Sequence, residues 1–441
     1  MVHSVNDLKP IKVGLLGFGV VGSGTWAVLN RNADEIARRA GCRIEIVRIA
    51  TRNPSKISDV PGHVLVDDDL MGLVKDPEID IVVELIGGST LARELILAAI
   101  AEGKHVVTAN KALLALHGNE IFAEASAKGV MVAFEAAVAG GIPIIKSIRE
   151  GLTANRIQWL AGIINGTTNF ILSEMRRRNL DFATALQEAQ DFGYAEADPT
   201  FDIEGVDAAH KLALLASIAF GIKIQFDKIY VEGISHLAQE DFAHAQNLGY
   251  RIKLLAIARH RKEGIELRVH PTLVKSNELL ANVEGSMNAV LVRGDAVGET
   301  LYYGPGAGSE PTASAVVADL VDVTRMHNTD PENRVPHLAF QPEALADYPI
   351  LAVEEVQTSY YLRLLVDDRS GVMAEITRVL AEDDISIDSM IQEQDNDGKA
   401  TIIFLTHKCR EGDVDKAIGQ IEQMPFVHSK VTRIRLEQLE K

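Results

Sequence analysis

Between residues 193 and 211 the chain reads GYAEADPTFDIEGVDAAHK, which gathers five carboxylates (Glu196, Asp198, Asp202, Glu204 and Asp207) ahead of Lys211. Pro199 breaks the preceding helical pattern, and Asp202 is placed to cap a new helix that runs to about Phe220 and stops at Gly221. On such a helix Asp207 and Lys211 lie one turn apart on the same face, and the stripe continues through Leu214 and Ile218. A lysine brought to the edge of a core, with carboxylates converging on it, is suited to carry a proton. The same spacing equally describes an exposed i,i+4 salt bridge, worth only about a few tenths of a kcal/mol.

The elements that must position such a lysine begin near the N-terminus. Residues 11–16 (IKVGLL) form a short apolar strand that runs into Gly17-Phe18-Gly19-Val20-Val21-Gly22, and a helical pattern follows over 23–40. A GxGxxG between strand and helix is a dinucleotide fingerprint: Gly17 for the tight turn, Gly19 for close approach to a pyrophosphate, Gly22 for helix–strand packing. The helix N-terminus offers N–H groups to the phosphates. The next strand, 44–50, ends in Thr51-Arg52-Asn53, without the acidic residue that grips the ribose of NAD. Arg52 suits a 2′-phosphate, so NADP is expected ahead of NAD. Strands at 79–86, 105–108 and 130–134, with helices at 91–101 and 119–127, predict a doubly wound parallel sheet. Ligands of such sheets sit beyond the carboxyl ends of the strands. There the chain places Gly88 and Ser89, and also Lys111, which follows Thr108-Ala109-Asn110.

Length and composition bound the class. At 441 residues, about three domains are expected, and 47% hydrophobic residues supply several cores. A formal charge of −18 argues against nucleic acid or an anionic membrane surface as partner. The two cysteines, Cys42 and Cys409, lie far apart and outline neither a disulfide framework nor a zinc site, which fits a reducing cytoplasm. The N-terminal MVHSVNDLKP lacks the apolar core of a signal peptide, and apolar runs such as 212–222 are too short to span a membrane.

In the middle of the chain, residues 134–143 (FEAAVAGGIP) read as a tight loop or hinge, with Pro143 opening a helix. Residues 163–170 (IINGTTNF) read as strand, polar turn and helix start, where Thr167 or Thr168 can cap. GxGxxG, TANK, EAAVAGGIP, INGTTNFIL and GYAEADPTFDIEGVDAAHK occur in that order, and over residues 10–325 the chain resembles homoserine dehydrogenase, the bacterial type with a C-terminal ACT domain. The resemblance implies NAD(P)-dependent interconversion of L-homoserine and L-aspartate 4-semialdehyde. It makes Lys211 the acid/base group, sets Glu196, Asp202 and Asp207 around the substrate, and puts Lys111 beside cofactor and substrate. It also implies a monovalent cation, usually sodium, at Glu135, Val138, Gly140 and Ile142, largely through backbone carbonyls. Strands at 251–258 and 265–269 flank Lys262-Glu263-Gly264 as a hairpin and suggest a mixed sheet on which two subunits can join; the resemblance implies a homodimer or homotetramer. The glycine turn at 303–308, before a helix over 312–325, returns Gly306 and Gly308 to the cofactor in the family.

Residues 326–356, rich in Pro, Asn, Asp and Glu, read as a linker. Beyond it, strands at 360–366, 385–392, 401–407 and 429–436 alternate with helices at 373–383 and 413–424 in βαββαβ order, which resembles an ACT domain. That resemblance implies an amino-acid effector, L-threonine, at Asp368, Ser370, Gly371 and Val372. The expected architecture is thus α/β: a Rossmann-type domain (1–140, with 305–325 packing back on it), an α+β catalytic and oligomerisation domain (141–325), and the ACT domain (357–441). Two alternatives stand beside it. One is another NADP oxidoreductase, which would lack the 196–211 constellation; the other is an amino-acid sensor that kept the fold without the chemistry.

Overall fold

The structure, a computed structural model, describes residues 9–58, 60–394 and 398–439; most of the N-terminal segment just discussed lies outside them. β1 (Ile11–Leu16) is almost wholly buried, as an inner strand of a parallel sheet must be. Where one helix is expected over 23–40 there are two, α1 (Val20–Arg31) and α2 (Ala33–Ala40), divided at Asn32 because Asp34 and Glu35 supply a fresh acidic first turn. β2 (Ile44–Ala50) follows, then β3 (Leu65–Asp67) and α3 (Leu70–Lys75), both too short to betray a period in the sequence. β4 (Ile81–Glu84) is shorter than the expected 79–86, because Gly87 and Gly88 turn to φ +71° and +74° just beyond it. α4 (Thr90–Ala101) and β5 (His105–Thr108) match expectation. α5 (Lys111–Lys128) starts well before residue 119, since the Asn110 side chain caps it by accepting the Leu113 N–H at 3.1 Å. β6 (Val132–Ala133) completes a parallel sheet of order β3-β2-β1-β4-β5-β6, the doubly wound arrangement.

The turn over 134–140 is buried, and Pro143 stands at the N-cap of α6 (Ile144–Lys146), ahead of β7 (Ile157–Ile163). α7 (Gly166–Arg178) begins one residue before Thr167, so the two threonines lie in its first turn rather than capping it. α8 (Phe182–Asp191) leads to a second correction. Asp202 does not cap the long helix; it lies inside the short α9 (Thr200–Ile203), where its carboxylate accepts the Thr167 hydroxyl at 3.1 Å. Gly205, at φ +81°, then re-aims the chain into α10 (Val206–Phe220), which ends as predicted at Gly221. β8 (Tyr230–Val231) and α11 (Gln239–Asn247) precede the hairpin of β9 (Tyr250–His260) and β10 (Ile265–Lys275), which is longer than expected. β11 (Met287–Gly294), β12 (Gly298–Pro305) and α12 (Ser309–Met326) follow. The βαββαβ module consists of β13 (Gln357–Asp367), α13 (Val372–Glu382), β14 (Ile387–Gln394), β15 (Lys399–Thr406), the small β16 (Cys409–Arg410), α14 (Glu411–Ile421) and β17 (Thr432–Leu436).

The chain divides into two compact units. One takes the residues up to Gly166, Asp207–Asp227 and Ser286–Tyr348; the other takes Thr167–Val206, Lys228–Gly285 and Pro349–Lys441. The first unit holds the parallel sheet, the antiparallel trio β7-β11-β12, and α12, whose apolar face shares a core with α1 and β1. In the second, the strands run β9-β10-β17-β13-β15-β14. There β17 pairs parallel with β10 and antiparallel with β13, so the last strand of the chain lies inside the sheet. Buried charges accompany that insertion: Arg268 pairs with Glu266 and Glu437, and Arg435 pairs with Glu411 and Glu232. Among the described residues no helix is long and apolar enough to cross a membrane.

Candidate active site

α10 is apolar almost all round and buried from Asp207 to Phe220, which fixes its first turn as firmly as its last. That turn carries Asp207, 4% exposed, and Lys211, 8% exposed, so the pair is not on a solvated face. Lys211 Nζ donates to Asp207 Oδ2 at 2.6 Å and to the Ile164 carbonyl at 2.7 Å. Lys111, the first residue of α5, brings its Nζ to 3.1 Å from the other oxygen, Oδ1. The Asn165 amide donates to Asp207 Oδ2 at 2.9 Å. Burial opposes a charge on Asp207, yet Lys211, Lys111 and Asn165 together hold its carboxyl well below the usual carboxylate range. Beside it, burial pushes His210 down to about 4, and its ring packs 4.4 Å from that of Phe226; at neutral pH this histidine carries no charge.

The sequence reading found Asp207, Lys211 and Lys111 but not Asn165 or the Ile164 carbonyl. Both lie in the INGTTN turn after β7, 42 residues or more before their partners, and no local pattern reports such a distance. Glu196 and Asp202 belong to the second unit. Glu196 is exposed, and its carbonyl accepts the Gln190 side chain at 3.1 Å. Thr167, which bonds Asp202, also donates to the Tyr194 carbonyl at 2.7 Å.

A cleft of about 700 Å³ opens at the carboxyl ends of β1, β2 and β4, where the strand order reverses. Gly17, Phe18, Gly19, Arg52 and Gly88 line it, together with Lys56 and Ser58, which the sequence reading did not single out. Gly17 adopts φ +93°, and a Cβ on Gly22 would lie 2.4 Å from the Gly17 carbonyl, so packing demands both glycines. At Gly19 and Gly88 a Cβ would meet nothing within 4 Å; the protein leaves that space open, as a bound pyrophosphate or nicotinamide requires. No side chain caps α1 and its first turn holds no acid, which leaves a helix N-terminus fit for phosphate. Val20, Val21 and Gly22 form that first turn, and Ser89 stands at the N-cap of α4. Gly306 backs onto Gly140 and Asn288, and Gly308 precedes α12, whose Ser309 hydroxyl donates to the Val20 carbonyl at 2.8 Å. These residues adjoin the cleft's supports and are not among those lining it.

Glu135, Val138, Gly140 and Ile142 lie on one buried turn. The Glu135 carboxylate accepts the N–H groups of Ile145 and Lys146, both at 2.8 Å, while burial pushes it up to about 7. Among the described residues no cluster of three or more His, Cys, Asp or Glu is arranged to hold a metal, so a cation on this turn would rest mainly on carbonyl oxygens. In the ACT-like module, Gly371 takes φ +96° at the N-cap of α13, whose first residue is Val372; Ser370 is exposed. Asp368 accepts the Gln394 side chain at 2.9 Å.

Comparison with known proteins matches three models in succession: the homoserine dehydrogenase NAD-binding domain at residues 17–135, homoserine dehydrogenase at 143–321 and the ACT domain at 360–426. A homoserine dehydrogenase from Pseudomonas aeruginosa is 61% identical over 98% of this chain and 100% of its own length. A crystal structure of a homoserine dehydrogenase from Thiobacillus denitrificans superposes with a TM-score of 0.94 at 65% identity, covering 98% of this chain and 99% of that one. A hyperthermophilic archaeal homoserine dehydrogenase in complex with NADPH is 26% identical, with a TM-score of 0.61 over 72% of this chain and 98% of its own. The lysine–aspartate cluster, the dinucleotide cleft and these likenesses agree: the chain belongs to the homoserine dehydrogenase family, oxidoreductases with an NAD(P)-binding domain.

Proposed function

We propose that the enzyme interconverts L-homoserine and L-aspartate 4-semialdehyde, with Lys211 passing the proton at the reacting oxygen. The observation that carries this reading is the Lys111–Asp207–Lys211 cluster at the head of α10. When bound, the reduced nicotinamide supplies the hydride that turns the aldehyde into an alcohol. Lys211 gives its proton to the forming alkoxide, and its charge stabilises that oxygen beforehand. Asp207 keeps both ammonium groups charged and oriented. Glu196, Asp202 and Asp207 line the substrate, Glu196 holding its ammonium, and Lys111 receives the α-carboxylate. Lys211→Ala should cut kcat by about two to four orders of magnitude with nucleotide affinity unchanged. Near-normal turnover in that variant would hand the proton to Lys111, whose side chain is 35% exposed and so in contact with solvent protons.

NADP is the preferred cofactor in this reading. Its supports are that Arg52 and Lys56 both line the cleft, that β2 runs into Thr51-Arg52-Asn53 with no acid, and that the archaeal relative was solved with NADPH. Arg52→Ala should lower kcat/KM for NADP and spare NAD; an unchanged ratio would refute the assignment. Sodium on the carbonyls of the Glu135–Ile142 turn, L-threonine at Asp368–Val372, a cytoplasmic location and a homodimer or homotetramer complete the reading. Sodium omission, threonine addition and light scattering test the ligands and the assembly directly.

A further inference from the structure

Glu84, the last residue of β4, is fully buried although it reaches neither the cleft nor the lysine cluster. Its Oε1 accepts the N–H groups of Ile86 at 2.9 Å and Gly87 at 3.2 Å, two residues that line the cleft. Its Oε2 accepts the Thr108 hydroxyl at 2.7 Å. The Thr108 oxygen accepts the Asn110 N–H at 3.0 Å, and the Asn110 amide donates to the Gly88 carbonyl at 2.7 Å. The same Asn110 side chain caps α5, whose first residue is Lys111. One unbroken set of bonds therefore holds three consecutive backbone groups of the cleft wall and the helix start that carries the lysine.

We propose that Glu84 is a positioning residue: through Thr108 and Asn110 it fixes the Ile86–Gly88 wall against the dinucleotide and sets that wall relative to Lys111. Gly87 and Gly88 both take positive φ, and a Cβ on either would meet nothing, so their own packing does not hold them. A glycine pair in open space keeps one shape only if something grips its backbone, and a buried carboxylate accepting two N–H groups does that strongly. A carboxylate is required because Glu84 must accept three donors and give none; a glutamine amide brings two donors of its own and faces the Thr108 hydroxyl with the wrong polarity. Burial pushes the Glu84 carboxyl up, and the bonds from Thr108, Ile86 and Gly87 oppose that rise.

The inference rests on the dinucleotide reading of the cleft, and the test separates the two. NADPH and NADH dissociation constants are measured by nucleotide fluorescence, without substrate, on wild type, Glu84→Gln, Thr108→Val and the double variant, with thermal unfolding alongside. Each single variant should bind nucleotide about tenfold more weakly, as loss of a charge-assisted bond predicts. The double variant should lose less than the product of the two, because they share one bond. With nucleotide varied at saturating homoserine, the KM for nucleotide should rise more than kcat falls. A folded Glu84→Gln with wild-type affinity, or one whose only change is a lower Tm, overturns the role. If Glu84→Gln does not fold, wild-type affinity in Thr108→Val overturns it equally. A wild type that binds neither nucleotide removes the dinucleotide reading and this inference with it.

Discussion

Asp207 is one carboxylate shared by two ammonium groups, and the sharing explains why the three residues come as a set. Lys211 is nearly buried, and a buried cation without its counter-ion costs several kcal/mol. Asp207→Asn should therefore destabilise the protein by roughly 3–5 kcal/mol in denaturant titration, beyond its loss of activity. Lys111→Ala, at a partly exposed position, should cost much less stability while still impairing turnover. This cluster was legible in the sequence to the extent that it is local: i,i+4 spacing gave Asp207 and Lys211, and a strand end gave Lys111. Asn165 and Glu84 were not legible, because their roles lie in contacts whose partners are set by the fold. The helix-capping place given to Asp202 failed for a related reason. An aspartate after a proline looks like a cap, but Gly205 opens the helix after it, and Asp202 is bonded to Thr167.

Among the elements, α1 and the loop before it separate glycines that serve the fold from those that serve the ligand. Gly22→Ala drives a methyl group into the Gly17 carbonyl and should lower both Tm and nucleotide affinity. Gly19 has an ordinary φ of −80°, and a methyl there meets no protein atom. Gly19→Ala should leave Tm within a degree or two while raising the nucleotide dissociation constant about tenfold or more, readable by fluorescence titration. Equal loss of stability in both variants would show that the open space serves the protein and not a ligand. The order of the longer strands and helices was readable because each carries its own hydrophobic period, which β3 and α3 are too short to show. Boundaries suffered where a single residue decides them, as Asn110 does at the head of α5.

At the scale of the molecule, buried histidines set the acid limit. His105 Nδ1 accepts the Met131 N–H at 2.9 Å and His337 Nε2 accepts the Val132 N–H at 3.0 Å, so each must stay neutral to hold β6 and its approach. Burial pushes both down to about 4. Because the unfolded chain takes up protons near pH 6.5 and the native state does not, their stabilising effect is whole above pH 6.5 and declines toward pH 4. At pH 5 each costs roughly 2 kcal/mol, while the raised carboxyl of Glu135 gains stability over the same range, so the histidine effect is read as a difference: between pH 7 and 5 His337→Gln should gain stability relative to wild type, measured by Tm.

β17 has a consequence in time rather than space. A ribosome emits β10 long before β17, the strand that must lie between it and β13. At about 5–20 residues per second the earlier strand waits on the order of ten seconds, the part of its edge at Thr272 and Leu273 without its partner, while β8 is already made to pair Arg268 and Val269. Arg268 on the waiting strand has Glu266 beside it from the start, and gains its second carboxylate only when Glu437 arrives.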